Sequence, residues 1–300
     1  MGQDNTIMDA NRLLLLLDEL KGIGVQAVML AGAGEPTCHP DFAKILRHCG
    51  EINLDAAYYT NGELLTEEII DATIDTCSWI RISLDGSNAE MHNSIHRAGL
   101  DAFEKVKSNM RSLSNLRLKK STNTTLGAGF LVNTSTSTGI YNAAKLTKEL
   151  GFDYLRVRPF FGYNDKPMCE LEDIPGILDE LDKAKSLQTD SFSVNFPEQR
   201  MTWVETGDPD IQYHKCYVHH FSTHIGADLK VYLCCHTIGW EKYILGDLAQ
   251  NTFKDIWYSQ KRKDIYESID YRDCATPCSM AQFNNQLEKF KSPVIHPNFI

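Results

Sequence analysis

Five short apolar runs, each followed by a stretch of helical spacing, constrain this chain more than any other feature of its sequence. The runs are residues 25–31, 56–60, 79–84, 126–132 and 154–159, and the helical stretches are 42–49, 66–76, 102–116, 141–150 and 174–187. A helix at 11–21 precedes them, with Leu13, Leu14, Leu17 and Leu20 recurring on one face before Gly22 and Gly24. Continuous apolar runs of this length suit strands buried on both faces. Their alternation with helices predicts a parallel sheet with right-handed crossovers, either doubly wound or a (β/α) barrel.

In both architectures chemistry collects at the carboxyl ends of the strands. Those ends carry Gly34-Glu35, Thr60-Asn61-Gly62, Ser83 to Asp85, Asn133, and Arg156 with Arg158, while the strand bodies are apolar. The first of them lies in residues 28–41, V-M-L-A-G-A-G-E-P-T-C-H-P-D. Glycines and one acid at a strand end present backbone N–H and C=O groups together with a carboxylate. A plain strand-to-helix turn uses the same residue types, so the segment alone decides nothing.

After residue 188 the pattern changes. Residues 192–196 suit a strand, 223–235 a β-hairpin turning at Ala227-Asp228, and 253–258 and 262–268 short helices. A boundary near residue 205 divides the chain into units 1–205 and 206–300. The 300 residues carry a net charge of -10, with no basic run longer than Lys119-Lys120, which argues against a nucleic-acid or anionic-membrane surface. A local basic pocket is compatible with that balance. The apolar run 13–17 is far too short to span a bilayer, and no signal peptide is evident, so a cytoplasmic protein is expected.

Nine cysteines are many for a reducing compartment. Cys38, Cys49, Cys77 and Cys169 are scattered and suit small buried side chains. Cys216, Cys234, Cys235, Cys274 and Cys278 crowd the last third, as in a metal or iron–sulfur site.

Taken together, the motifs resemble the radical SAM enzymes. Ala31-Gly32-Ala33-Gly34-Glu35-Pro36 with His39-Pro40-Asp41-Phe42 resembles their G-G-E-P segment, and Tyr59-Thr60-Asn61-Gly62 their T-N-G. Arg81-Ile82-Ser83-Leu84-Asp85-Gly86, followed by His96-Arg97, resembles their R-x-S-[LI]-D-G with its trailing arginine. The resemblance implies a partial (β/α)6 TIM-like barrel, N-terminally incomplete with its first strand missing, carrying a small cysteine-rich C-terminal α+β extension. It also implies that Ala33, Gly34 and Glu35 hold the amino group of S-adenosylmethionine. Ser83 and Asp85 would face its methionine carboxylate and ribose, Asn133 its ribose or adenine, and Arg158 its carboxylate. An N-cap, a turn residue and a surface position are the plain readings of Asp85, Asn133 and Arg158.

A second resemblance covers the end of the chain. Cys216, the hairpin closing on Asp228-Leu229-Lys230-Val231-Tyr232-Leu233-Cys234, Gly246-Asp247-Leu248, Ile256-Trp257 and Cys274-x-x-x-Cys278 are similar to the SPASM or shorter twitch extension of those enzymes. Leu229 and Leu233 replace the Gly and Pro of that pattern. The register selects Cys234 over Cys235, and the resemblance implies one auxiliary 4Fe–4S cluster on Cys216, Cys234, Cys274 and Cys278. Zinc suits four thiolates as well, and His214, His219, His220, His224 and His236 lie nearby.

The family's C-x-x-x-C-x-x-C, which holds the reducing 4Fe–4S cluster ahead of G-G-E-P, does not occur in these 300 residues. An N-terminally incomplete chain, inactive as written, is therefore expected, and that cluster only with the missing segment. The expected function is radical modification of a peptide or small molecule, with a flavodoxin or ferredoxin as electron donor and no nucleic-acid or membrane partner. The alternative is a non-catalytic peptide-binding protein with a structural zinc.

Overall fold

Six parallel strands stand side by side in chain order in the computed structural model, which describes residues 6–31, 34–160, 174–197, 211–270, 274, 278 and 280–291. They are β1 (Ala27–Leu30), β2 (Asp55–Thr60), β3 (Cys77–Ser83), β4 (Thr125–Val132), β5 (Tyr154–Pro159) and β6 (Ser193–Asn195). Strand order settles which architecture this is. Every strand pairs with the one before it, so every crossover steps the same way, and right-handed crossovers then put the helices on one face. A doubly wound sheet would reverse its order at a switch point. The sheet is the wall of a partial TIM-like barrel.

The helices between the strands are α1 (Ala10–Gly22), α2 (Phe42–Glu51), α3 (Glu67–Thr76), α4 (Ala89–His96), α5 (Asp101–Lys120), α6 (Ile140–Glu149) and α7 (Ile174–Lys185). Thr66 caps α3 as its sequence suggests, accepting a hydrogen bond from Ile69 N at 3.3 Å. Under the helices lie Ile80, Ile82, Leu126, Ala128, Leu155 and Val157, all fully buried. Each of these isoleucine, leucine and valine side chains contributes about 1.5–3 kcal/mol by leaving water.

Two readings of the first half change. Residues 25–31 were expected to be buried on both faces, yet β1 is half-exposed, with Met29 55% accessible. Among the described residues β1 pairs only with β2, so it is an edge strand. The helix α4 escapes the periodicity because its eight residues are mostly polar. Its boundaries are set by local bonding instead, with Asn88 Oδ1 accepting from Met91 N at 2.8 Å and Arg97 closing it at φ +54°.

The residues after 198 make up most of a second compact unit; the expected boundary near residue 205 lies outside the described residues. A three-stranded antiparallel sheet, β7 (His224–Ile225), β8 (Lys230–Tyr232) and β9 (Ile244–Asp247), sits in it with helices at Phe253–Tyr258, Gln260–Ser268 and Ala281–Lys291. The last of these helices the sequence pattern does not reveal. The hairpin turns where expected, and Leu229, standing where the resembling pattern has Gly, is held at φ +63°. A left-handed leucine costs roughly 1–2 kcal/mol, and glycine would return part of that as unfolded-chain entropy. Leu229→Gly should therefore raise stability by about 0.5–1 kcal/mol. A urea midpoint unchanged or lowered would show that the turn stores no strain.

No helix among the described residues is long and apolar enough to cross a membrane.

Candidate active site

Glu35 is the hub of the strand ends. It caps a short helical turn at Pro36–Cys38, and its Oε1 accepts from Thr37 N at 3.0 Å, Thr37 Oγ1 at 2.7 Å and Thr60 Oγ1 at 2.7 Å. Oε2 accepts from Asn61 N at 2.7 Å, so one carboxylate ties the end of β1 to the end of β2. A carboxylate offers about four lone-pair sites, two on each oxygen. Oε1 is saturated, and Oε2 keeps one site, which an ammonium group can take. Gly34 beside it is exposed, with open space where a Cβ would stand. Ala33 lies outside the described residues.

Ser83 ends β3 half-buried and faces Gly129 of β4. Its hydroxyl makes no hydrogen bond among the described residues, so it is open to a ligand. Asp85 differs. It is 4% accessible and held at φ +44°, its Oδ1 accepting from Leu131 N at 2.8 Å. Its Oδ2 lies 3.3 Å from His96 Nε2, within ion-pair range but not aligned as a hydrogen bond. Leu84 N and Asp85 N both donate to Gly129 O, each at 3.1 Å. Oδ1 of Asp85 thus braces β3 against β4, while Oδ2 makes no hydrogen bond among the described residues.

Asn133 behaves as its plain reading suggested, with Oδ1 accepting from Ser135 N at 2.8 Å and Thr136 N at 3.1 Å in a turn after β4. Arg158 is not a surface residue. It is half-buried on the barrel side of β5, and burial, then Arg81, then Arg156 lower its pKa. It makes no ion pair among the described residues. A guanidinium so placed presents its fork to an incoming carboxylate.

His92, fully buried in α4, was not singled out by sequence. Its Nδ1 lies 2.6 Å from Leu84 O, which can only accept, so Nδ1 carries the proton. The ring stacks on His96 at 4.3 Å, and burial lowers its pKa below the usual 6.5. Below about pH 6.5 the unfolded chain binds a proton here that the folded chain refuses, so stability falls as pH drops. Melting should shift down between pH 7.5 and pH 5.5, and His92→Gln should flatten that slope. A slope unchanged in the variant would assign the effect elsewhere.

In the C-terminal unit Cys216 is buried, and Asn284, itself fully buried, donates to its sulfur at 3.3 Å. The same Asn284 accepts from Tyr217 N at 2.7 Å and Val218 N at 3.2 Å, which fixes the backbone after Cys216. Cys234 sits at the start of the turn Cys235–Thr237. A hydrogen bond from Cys235 and the N–H groups of His236 and Thr237 favour its thiolate, lowering its pKa to about 6. Cys235 beside it is exposed and shares that hydrogen bond, which favours the thiolate on one of the two sulfurs at a time. Cys274 and Cys278 are half-buried, and with Cys216 they act electrostatically on the Tyr213 phenol. No three candidate metal ligands converge among the described residues. A single zinc draws four sulfurs to about 2.3 Å from one point.

Of the scattered cysteines, Cys49 and Cys77 are buried as expected, burial pushing their thiols up to about 11 and about 12. Cys38 is exposed, contrary to that expectation, because it lies on the turn capped by Glu35. Cys169 lies outside the described residues.

Residues 1–134 match the family model of the radical SAM superfamily, and residues 216–280 match that of SPASM, an iron–sulfur cluster-binding domain. The chain is 33% identical over 139 residues to the AdoMet-dependent heme synthase of Methanosarcina barkeri, which covers 45% of this chain and 37% of that protein. It is 35% identical over 81 residues to the PqqA peptide cyclase of Rhodopseudomonas palustris, covering 27% and 21%. Among solved structures, Streptococcus suis SuiB bound to its precursor peptide SuiA has the same fold, with a TM-score of 0.69 at 15% identity over 95% of this chain and 65% of that one. The matched regions span well under half the length of either curated relative.

Proposed function

Because residues 1–134 belong to the radical SAM superfamily and residues 216–280 to the SPASM domains, we propose that this chain serves the radical modification of a peptide. These domains imply S-adenosylmethionine and iron–sulfur clusters, one of them auxiliary. The observation that carries the reading is the Glu35 carboxylate, fixed by four donors at the barrel mouth with one acceptor site left. Relatives whose names or ligands are peptides support the substrate class.

When bound, the cofactors supply a carbon radical that abstracts hydrogen from the substrate. The chain's own residues bind and orient. Glu35 Oε2 would accept the ammonium of S-adenosylmethionine, beside the exposed Gly34. Arg158 forks onto the methionine carboxylate, and the Ser83 hydroxyl donates to the same end. The amide nitrogen of Asn133, whose oxygen is occupied by its turn, is left to reach the ribose or adenine. Cys216, Cys234, Cys274 and Cys278 hold the auxiliary cluster, with Asn284 hydrogen-bonded to one of the four sulfurs. A small redox protein such as a flavodoxin or ferredoxin is the electron donor of this reading.

Anaerobic reconstitution of the 300-residue chain tests it. About four irons with matching acid-labile sulfide are expected, because four thiolates serve one cluster. Cys234→Ser should lose most of that iron, whereas Cys235→Ser should keep it. A single bound zinc would instead favour the peptide-binding protein without redox chemistry. No 5′-deoxyadenosine should form from these 300 residues alone, since they contain no C-x-x-x-C-x-x-C. Its formation would overturn that part of the reading.

A further inference from the structure

The barrel-side faces of β3 and β5 are unexpectedly cationic for a chain of net charge -10. The strand register aligns Tyr59, Arg81, Gly127 and Tyr154 in one row, and Ser83, Gly129 and Arg156 in the next. Leu155 and Val157 point into the core under the helices, so Arg156 and Arg158 point the other way, into the barrel.

Arg81 is anchored. Its Nε donates to Tyr154 Oη at 3.1 Å, its Nη1 lies 3.4 Å from Tyr59 Oη, and its guanidinium carbon stands 4.8 Å from the Tyr59 ring and 5.6 Å from that of Tyr154. The glycines of β4 make the room. A Cβ on Gly127 would come within 2.1 Å of the Tyr154 ring, and one on Gly129 would lie 3.6 Å from Arg81 Cδ. Arg81, Arg156 and Arg158 make no ion pair with any carboxylate among the described residues. Arg158 feels both of the others as repulsion, in keeping with their places on the barrel side of β3 and β5. Asp85 acts on Arg158 as an opposite charge, though its Oδ1 is engaged by Leu131 N. Half-buried guanidiniums that outnumber the carboxylates around them are costly to fold and are stabilised by an incoming anion.

Arg158 alone suffices for the carboxylate of the cofactor. We infer that Arg156, backed by the Arg81 anchor, takes a second carboxylate, one carried by the substrate. This rests on the peptide reading, since carboxylate is the one negative group an unmodified peptide carries. The source is either an acidic side chain or a free C-terminus, and the two present the same chemistry to a guanidinium fork.

Titration of the 300-residue chain with short peptides, followed by saturation-transfer NMR at low salt, tests this. The probes are acetyl-Gly-Gly-Glu-Gly-Gly-amide, the same peptide with Gln, acetyl-pentaglycine with a free C-terminus, and its amide. At least one carboxylate probe should bind ten-fold or more tightly than its neutral partner, and which one does so identifies the source. In Arg156→Gln that ratio should fall below two-fold, while Arg156→Lys, which restores a point charge, should keep part of it. Equal binding of charged and neutral peptides overturns the inference, as does a preference that survives Arg156→Gln or the binding of neither any peptide nor free glutarate. Free glutarate separates the two levels. If it binds through Arg156 while no peptide does, the carboxylate site stands and the peptide reading falls.

Discussion

Replacing Glu35 by alanine should abolish S-adenosylmethionine binding and loosen the barrel mouth together. The substitution removes the acceptor for four donors at once, leaving Thr37 N, Asn61 N and the Thr37 and Thr60 hydroxyls to find water or go unpaired. Hydrogen bonds to a charged acceptor contribute about 1.5–3 kcal/mol each. Partly exposed donors recover some of that in water, so a net loss of roughly 3 kcal/mol is reasonable. Glu35→Gln separates the two roles. It keeps one oxygen for Thr37 and Thr60 but turns an NH2 donor toward Asn61 N and toward the place where the ammonium binds. The expected result is a melting temperature nearer wild type than that of Glu35→Ala, with cofactor affinity lost in both. Equilibrium dialysis with labelled S-adenosylmethionine, alongside calorimetry, reads both quantities. Retention of cofactor by Glu35→Ala would make Glu35 a purely structural tie.

The second large effect is at Gly86, just past Asp85. A Cβ here would lie 2.4 Å from His92 N and 2.7 Å from His92 Cα. The obstacle is backbone inside α4, which cannot rotate away as a side-chain tip would. Gly86→Ala must displace the start of that helix, and with it the His92–Leu84 hydrogen bond and the His96 ring beside Asp85. Overpacking of this kind costs about 1–3 kcal/mol and occasionally more, and a backbone clash belongs at the upper end. Faster amide exchange across residues 89–96, with the sheet still protected, should accompany the loss. A Gly86→Ala variant as stable as wild type would mean that α4 floats on the barrel instead of being seated.

Gly86 belongs to an R-x-S-L-D-G string whose letters sequence could match but whose reasons it could not supply. The glycine is there because a helix backbone crosses it. Asp85 holds a neighbouring strand through Leu131 N, whatever else its second oxygen meets. Similarly, the apolar run 126–132 gives no reason for its glycines, whereas the Tyr154 ring and the Arg81 stem occupy the space that the missing side chains of Gly127 and Gly129 leave. Close approach between chain segments distant in sequence leaves no periodic trace.

What the sequence determined by itself was the parallel α/β layout, the strand ends that carry chemistry, and the separate crowding of cysteines after residue 215. Local periodicity and chain punctuation carry that information, because burial on a helix or strand face repeats every few residues. Periodicity left a doubly wound sheet and a barrel both open; the motif resemblance implied the barrel, and the strand pairing bears that out. The tertiary structure alone decided that Glu35 is a hub, that Asp85 Oδ1 is already engaged, and that Arg81, Arg156 and Arg158 share the barrel side of the sheet. Each of these depends on register between strands, a quantity set by packing across the sheet and not by neighbours along the chain.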